Sequence, residues 1–333
     1  MKTMTQAVLT TVICSFAVID VCEATLQEAE DPCQRSAIRF ETSTLEKIVG
    51  EPEAVLEEGE GFWTSERPLI LVQGWADEVG SRDPYGRFRA RVSDLASLSA
   101  ERRADHPLLR MTEEIVASQD EWREKAVMHL CSYLPADVDL SRPAYFVAFV
   151  PPRAFATSDG NVIDVASGYW HGNVDNILNS LVHEYFHIGY GQLRRHRSEK
   201  PLENAALYRM LDMVHNEGLA VWVAYRARSL FPAPNEVDND LLDDPDDVTR
   251  LLEALNGLLA QSTVMEAGAL RRLAWRVGVT DRAYYIVGAH MARTIEAERG
   301  RDALIGTLHE GPLAYLTLYN SLVPKERQVR LPE

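Results

Sequence analysis

The sequence predicts an α+β fold that is predominantly helical and contains one small sheet. Two strand patterns lie close together near the middle of the chain, at 144–150 and 161–166. The first is aromatic and β-branched and stops at a Pro-Pro pair, and an Asp-Gly turn dipeptide at 159–160 precedes the second. Amphipathic helical patterns fill most of the remaining chain. The predicted sheet therefore lies between two helical halves.

The helical patterns fall into two groups on either side of this sheet. Before it, STLE at 43–46 is a capping signal, and helical periodicity runs through 88–101 and 108–133. After it, periodicity predicts helices at 174–190, 203–230, 247–276, 282–299 and 301–322. The Pro- and Asp-rich stretch 232–247 lacks the residue order of a calcium loop and is predicted to be a solvated linker.

The amino terminus has the layout of a secretory signal peptide. Lys2 precedes an apolar run at 7–19, and a small-residue site ends at Ala24. The run is too short to span a bilayer comfortably, which excludes stable membrane insertion here. We therefore predict a secreted or periplasmic protein cleaved after Ala24. The remaining chain is divided into a mainly helical region at 25–140 and a catalytic region at 141–333.

Composition narrows the possible partners and the redox setting. The 333-residue chain has a formal net charge of −16, which argues against nucleic acid or anionic membrane surfaces as partners. The mature chain would keep two cysteines, Cys33 and Cys131. In an oxidising compartment they could form one disulfide, and two unrelated thiols are the alternative.

The strongest chemical signal is LVHEYFHIGYG at 181–191. His183 and His187 are four residues apart, so on a helix they project from one face. Neutral imidazoles in that arrangement can bind zinc. Glu184 could take a proton from water at the open metal position and act as general base. The alternative is a helix with two structural histidines.

The third ligand must come from elsewhere in the chain. The metzincin continuation is excluded, because Tyr190 and Leu193 occupy the positions that its glycine and histidine would need. His196 lies in a charged run that is typical of solvent exposure. Glu217 is the better candidate, in HNEGLAVW on a helix predicted to return antiparallel to the first. Gly218 would permit close approach of the two helices.

The combination of HEYFH at 183–187 with NEG at 216–218 resembles the gluzincin metallopeptidases, and is closest to bacterial families of zinc-dependent peptidases of unknown specificity. The resemblance covers residues from about 144 to 322. It implies a zincin-like catalytic domain, in which a small sheet is followed by the HExxH helix and a helical carboxy-terminal half. It also implies that the strand at 161–166 is the sheet edge that pairs with an extended substrate.

A second matching segment begins at Ala283 and reads AYYIVGAHMARTIEAERGRDAL. It is similar to the gluzincin aminopeptidase segment that carries a transition-state tyrosine. The Tyr-to-Gly spacing onto Gly288 implies that Tyr285 has this role and donates a hydrogen bond to the oxyanion. Tyr284 and His290 are the alternatives.

The sequence also departs from the gluzincin pattern. The aminopeptidase signature GxMEN is absent, so aminopeptidase activity is not predicted. Val221 stands where thermolysin-like relatives place a histidine-orienting aspartate, which leaves that orienting group unassigned. His171 and Asp175 lie between the second strand and the HExxH helix, where surface or capping roles are more usual than substrate contact.

Together these observations predict an exported zinc-dependent peptidase acting on a peptide or protein substrate. One Zn²⁺ would be held by His183, His187 and Glu217, with Glu184 and Tyr285 as the catalytic residues. A zinc hydrolase acting on another amide is one alternative. A catalytically silent secreted binding protein on the same scaffold is another, and the third is a helical protein with structural histidines.

Overall fold

The computed structural model of the chain describes residues 38–197, 202–234 and 236–332. The predicted signal peptide and Cys33 lie outside these ranges, and Cys131 is disulfide-bonded. The described chain is predominantly helical and contains a four-stranded sheet, which confirms the predicted fold class. None of its helices combines the length and apolarity needed to cross a bilayer.

From residue 38 to the second strand the chain forms seven helices: α1 (Ser43–Gly50), α2 (Pro52–Glu58), α3 (Glu60–Ser65), α4 (Arg67–Glu78), α5 (Pro84–Ala96), α6 (Ala100–Ala104) and α7 (Pro107–Cys131). Proline begins several of them, because its missing N–H costs nothing in the first turn. The predicted capping signal is displaced by one residue: Thr42 occupies the cap, and its hydroxyl donates to Glu46 at 2.5 Å.

The sheet comprises β1 (Arg39–Glu41), β2 (Pro143–Val147), β3 (Ala154–Thr157) and β4 (Gly160–Asp164), in the order β1-β2-β4-β3. Neighbouring β1, β2 and β4 are parallel, whereas β3 runs antiparallel to β4 as a hairpin. The expectation that the strand at 161–166 forms the edge is wrong. β4 is buried along its whole length, and β3 forms the edge beside it. Sequence reasoning missed β3 because its four residues, AFAT, include two alanines.

In the described part of the chain after the sheet there are eight helices: α8 (Val174–Arg194), α9 (Ala205–Arg226), α10 (Val237–Asp243), α11 (Pro245–Ala260), α12 (Ala267–Ala274), α13 (Ala283–Arg299), α14 (Arg301–Glu310) and α15 (Pro312–Leu322). The stretch predicted as a solvated linker instead contains α10, where Asp238 and Asn239 are only 4% and 6% exposed. The pattern at 301–322 is broken by Gly311, which adopts φ +110° between α14 and α15.

Helices α9 and α13 cross at a pair of glycines. A Cβ on Gly218 would lie 2.3 Å from the Gly288 Cα, and a Cβ on Gly288 would lie 2.2 Å from the Val214 carbonyl oxygen. Any larger side chain would therefore force the helices apart. Gly218 does permit close helix approach, but its partner is α13 and not α8. The crossing places the first turns of α13 beside the middle of α9.

Candidate metal centre

Helix α8 carries the histidine pair on the face opposite to its core side. Asn173 caps the helix by accepting a hydrogen bond from the Asp175 N–H at 2.8 Å. Tyr185 and Phe186 are 0% and 1% exposed, and the Tyr185 hydroxyl donates to a backbone carbonyl. The apolar side of the helix is thereby anchored in the core. The histidines one turn apart are left facing a cavity of about 700 Å³.

Helix α9 packs against α8 and brings Glu217 to both histidines. The Glu217 Oε2 atom lies 3.6 Å from His183 Nε2 and 3.3 Å from His187 Nε2, and the two Nε2 atoms are 3.1 Å apart. Ligand atoms bound about 2.0–2.2 Å from one tetrahedral zinc lie roughly 3.3–3.6 Å from each other. Two of the three separations lie in this range and the third is slightly shorter, so the three side chains suit one metal ion and together form a possible metal site.

The electrostatics of this group are those of a buried cation site. The three side chains are only 13–18% exposed. Burial alone would raise the pKa of Glu217, but the charges and hydrogen bonds of His187 and His183 hold it well below its ordinary value. Conversely, burial lowers the pKa of His187, and the nearby Glu217 carboxylate outweighs this and raises it to about 9. The site thus favours a positive charge between the imidazoles and the carboxylate.

Asn216 orients one of the histidines. Its Oδ1 lies 2.9 Å from His187 Nδ1, and an amide oxygen can only accept, so Nδ1 carries the proton. In the neutral imidazole that metal binding requires, the lone pair of Nε2 is then directed toward His183 and Glu217. Sequence reasoning left the orienting residue unassigned, although this asparagine stands directly before Glu217 in the NEG triplet.

Glu184 and Tyr285 both line the cavity that contains the metal ligands. Glu184 is half-buried on α8, and its charge contributes to the raised pKa of His187. Burial raises the pKa of the Tyr285 phenol above its ordinary value, and the Glu217 carboxylate adds to the shift. Tyr285 therefore stays protonated, as a hydrogen-bond donor must. It is close enough to Glu217 for the carboxylate charge to affect its pKa.

The two alternatives to Tyr285 lie elsewhere. Tyr284 is 3% exposed, and its ring packs against Gly278, where an added Cβ would meet it at 2.1 Å. The His290 ring lies 6.1 Å from the Tyr319 ring, and its Nδ1 is buried without a hydrogen-bond partner among the described residues. Neither side chain is among the described residues that line the cavity.

Three other predicted candidates also lie away from the cavity. His171 is exposed in a left-handed turn with φ +51°, and His196 is exposed just beyond α8. Asp175 lies in the first turn of α8, where burial raises the pKa of its carboxyl group. None of them is among the described residues that line the cavity.

An arginine clamp, which sequence reasoning missed, holds the cavity wall next to Tyr285. Arg282 adopts φ +69° directly before α13, and its guanidinium carbon lies 3.3 Å from the Tyr285 ring centroid. Its Nε donates to the buried Asp238 Oδ1 at 2.8 Å, and its Nη2 donates to Oδ2. The bidentate pair joins α10 to α13 and limits the positions open to the tyrosine ring. No local sequence pattern predicted this ion pair, because Asp238 lies in the stretch that was predicted to be a solvated linker.

The edge strand β3 completes the cavity. Ala154, Phe155 and Ala156 line it, and β3 packs against α8. An unpaired strand edge presents free N–H and C=O groups, which can pair with an extended peptide. The candidate metal ligands and a strand edge that a peptide could pair with thus line one cavity.

Comparison with known protein families agrees with this geometry. A family model described as "Putative zinc dependent peptidase (DUF5700)" matches residues 102–328, which include α7, the β2–β4 part of the sheet and the helices α8, α9, α10 and α13. No curated protein and no solved structure matches the chain. The match spans well over half of the chain and contains His183, His187 and Glu217, so the protein belongs to the family that this description names.

Proposed function

We propose that the protein is an exported peptidase in which His183, His187 and Glu217 hold one zinc ion and Glu184 is the general base. The observation that carries the proposal is the convergence of three partly buried ligand atoms with Glu184 in one cavity. The family description supports zinc and peptide hydrolysis in general terms. The signal-peptide pattern at 1–24 supports export.

The residues divide the chemistry between them. Zinc, when bound, supplies Lewis acidity that polarises a carbonyl and lowers the pKa of water. Glu184 accepts the proton of the attacking water and later delivers it to the leaving amine. Tyr285 donates a hydrogen bond to the oxygen on which negative charge develops. Asn216 keeps the His187 ring in the tautomer that leaves Nε2 free.

The substrate that suits this cavity is an extended peptide. β3 lies at the sheet edge beside α8, so a peptide paired with it would pass across the face that carries the histidines. The arrangement favours a backbone-recognising peptidase over a hydrolase of small amides, because the strand edge offers a row of hydrogen-bonding groups.

The test uses the mature chain beginning at residue 25. Bound zinc is measured after reconstitution, and wild type is compared with Glu184→Gln on a diverse peptide library. We expect about one zinc per chain in both, with cleavage lost in the variant because the amide cannot accept the proton. Glu298→Gln, an exposed substitution of the same kind on α13, serves as the matched control.

Each outcome discriminates between functions. Absence of zinc after reconstitution would contradict a metallohydrolase of any kind. Zinc retained without cleavage of any peptide would favour a silent binding scaffold. Cleavage that survives Glu184→Gln would assign the proton transfer to another residue.

A further inference from the structure

Arg153 lies on the cavity wall directly before the edge strand β3. Its side chain is half-buried and lines the same cavity as the metal ligands. Its backbone is held by the sheet, because its carbonyl accepts a hydrogen bond from the Asp164 N–H at 2.8 Å. The guanidinium is therefore carried by a fixed part of the fold, beside the strand that would pair with a peptide.

Two aromatic rings set the position of this guanidinium. Its central carbon lies 3.5 Å from the Tyr169 ring centroid and 5.9 Å from that of Trp170. The Tyr169 ring is itself fixed, because its hydroxyl donates to Glu236 at 2.5 Å and its edge packs on the buried Trp170. A stacked guanidinium loses little further side-chain entropy when it binds a ligand.

Arg153 differs from Arg282, the other cavity arginine, in how its charge is balanced. Of the residues that the structure describes, two arginines line the cavity, and Arg282 forms a bidentate pair with Asp238. Among the described residues, by contrast, no carboxylate oxygen lies within 4.0 Å of an Arg153 nitrogen. Glu236 stands beyond the Tyr169 hydroxyl and forms no ion pair with Arg153. A partly desolvated guanidinium with unused donors thus faces the substrate space.

We propose that Arg153 binds a carboxylate of the substrate and makes the enzyme selective for peptides that place one beside β3. A guanidinium binds a carboxylate with two parallel hydrogen bonds, which a neutral amide cannot reproduce. The carboxylate has two sources, an acidic side chain or a free carboxy terminus. This inference rests on the proposed peptidase function and adds the substrate class to it.

Wild-type zinc-loaded enzyme is tested first, on two sets of matched peptides. One set has blocked ends and differs only by Glu against Gln at successive positions around the cleaved bond. The other keeps one neutral sequence and compares a free carboxy terminus with its amide. We expect kcat/KM to favour the charged member of one set by about 10- to 100-fold. That set identifies the source of the carboxylate.

Substitutions then assign the preference to the residue. Arg153→Gln should reduce the preference ratio to about one, and Arg153→Lys should retain part of it, since an ammonium keeps the charge without the bidentate geometry. Arg153→Glu should invert it toward peptides with Lys at the same position. The matched control is Arg67→Gln, which removes one positive charge from an exposed ion pair with Asp159, in the turn after β3.

The outcomes separate this inference from the proposed function. Cleavage of no peptide by the zinc-loaded wild type would contradict the peptidase function itself. Equal cleavage of both members in both sets would overturn the role of Arg153 while leaving peptidase activity intact. A preference that persists unchanged in Arg153→Gln, or falls equally in Arg67→Gln, would also overturn it.

Discussion

The two walls of the cavity differ in how their residues are distributed along the chain. The metal wall consists of His183, Glu184, His187 and Glu217 on two consecutive helices, α8 and α9. The opposing wall consists of β3, Arg153, Asp238, Arg282 and Tyr285, which come from three separate segments. Helical periodicity alone aligns most of the metal wall, whereas the opposing wall exists only after distant segments have packed. Short-range patterns therefore identify the candidate metal ligands and leave the residues of the opposing wall undetected.

The largest effect is expected on the metal wall, from Glu217→Gln. Loss of the carboxylate removes a ligand and the negative charge that balances the metal, so zinc affinity should fall by more than the roughly 100-fold that loss of an orienting partner costs. Chelator competition at neutral pH measures it. A zinc affinity within a few-fold of wild type would show that Glu217 is not a metal ligand and that the metal wall does not hold the ion with these three side chains.

The next effect concerns the opposing wall and is expected from Tyr285→Phe. Removing one oxyanion donor should lower kcat by about 10²- to 10³-fold while KM and zinc content stay near wild type. The neighbouring Tyr284→Phe is the matched control, because that ring packs against Gly278 outside the cavity. Steady-state kinetics on one cleaved peptide compares them. Equal losses in both variants would mean that the opposing wall contributes packing and no catalytic group.

A smaller effect on the metal wall is expected from Asn216→Ala. The His187 Nδ1–H would lose its acceptor, and zinc affinity should weaken by about 10- to 100-fold. Asn216→Asp retains an accepting oxygen in the same place, so it should recover most of the affinity. If alanine and aspartate weaken zinc binding equally, the contact with His187 does not orient the ring.

The smallest effect is expected at Asp164, at the end of β4. It concerns the pH dependence of stability and not the rate of cleavage. Its buried Oδ1 accepts from the Phe149 and Ala166 N–H groups, and burial raises the pKa of its carboxyl group to about 7. The unfolded chain has the ordinary value near 4, so the folded state binds the extra proton between these values. The stability from this group is complete below about pH 4 and is lost as pH rises through about 7.

Asp164→Asn should remove this pH dependence, because the amide keeps the accepting oxygen and cannot ionise. Thermal unfolding of wild type and variant between pH 4 and pH 8 measures the difference in slope. Parallel curves would show that the Asp164 carboxyl does not titrate in this range.

The residues of the metal wall were accessible from the sequence for a specific reason. A four-residue spacing places two side chains on one helical face whatever surrounds the helix, so His183 and His187 could be paired without knowledge of the fold. Glu217 needed only one further step, an antiparallel second helix. The assignment of Asn216 required the structure, because its role depends on a 2.9 Å contact with a ring nitrogen.

The residues of the opposing wall could not be predicted from local sequence patterns. The acidic stretch around Asp238 has the composition of an exposed linker. The Asp238 carboxylate is nevertheless buried, because it pairs with the Arg282 guanidinium. The tetrapeptide AFAT carries a weak strand signal and becomes a strand because β4 supplies its partner.

The sequence by itself determined the helical character of the chain, the small sheet and the helix face that carries the histidine pair, since these depend on local periodicity and residue chemistry. Only the tertiary structure decided which strand is the edge, which helix Gly218 meets, and which charged side chains line the cavity. Those features arise from contacts between residues far apart in the chain. The free energies of those contacts depend on how deeply the residues are buried and on which residues they pair with. No single segment of the sequence carries that information.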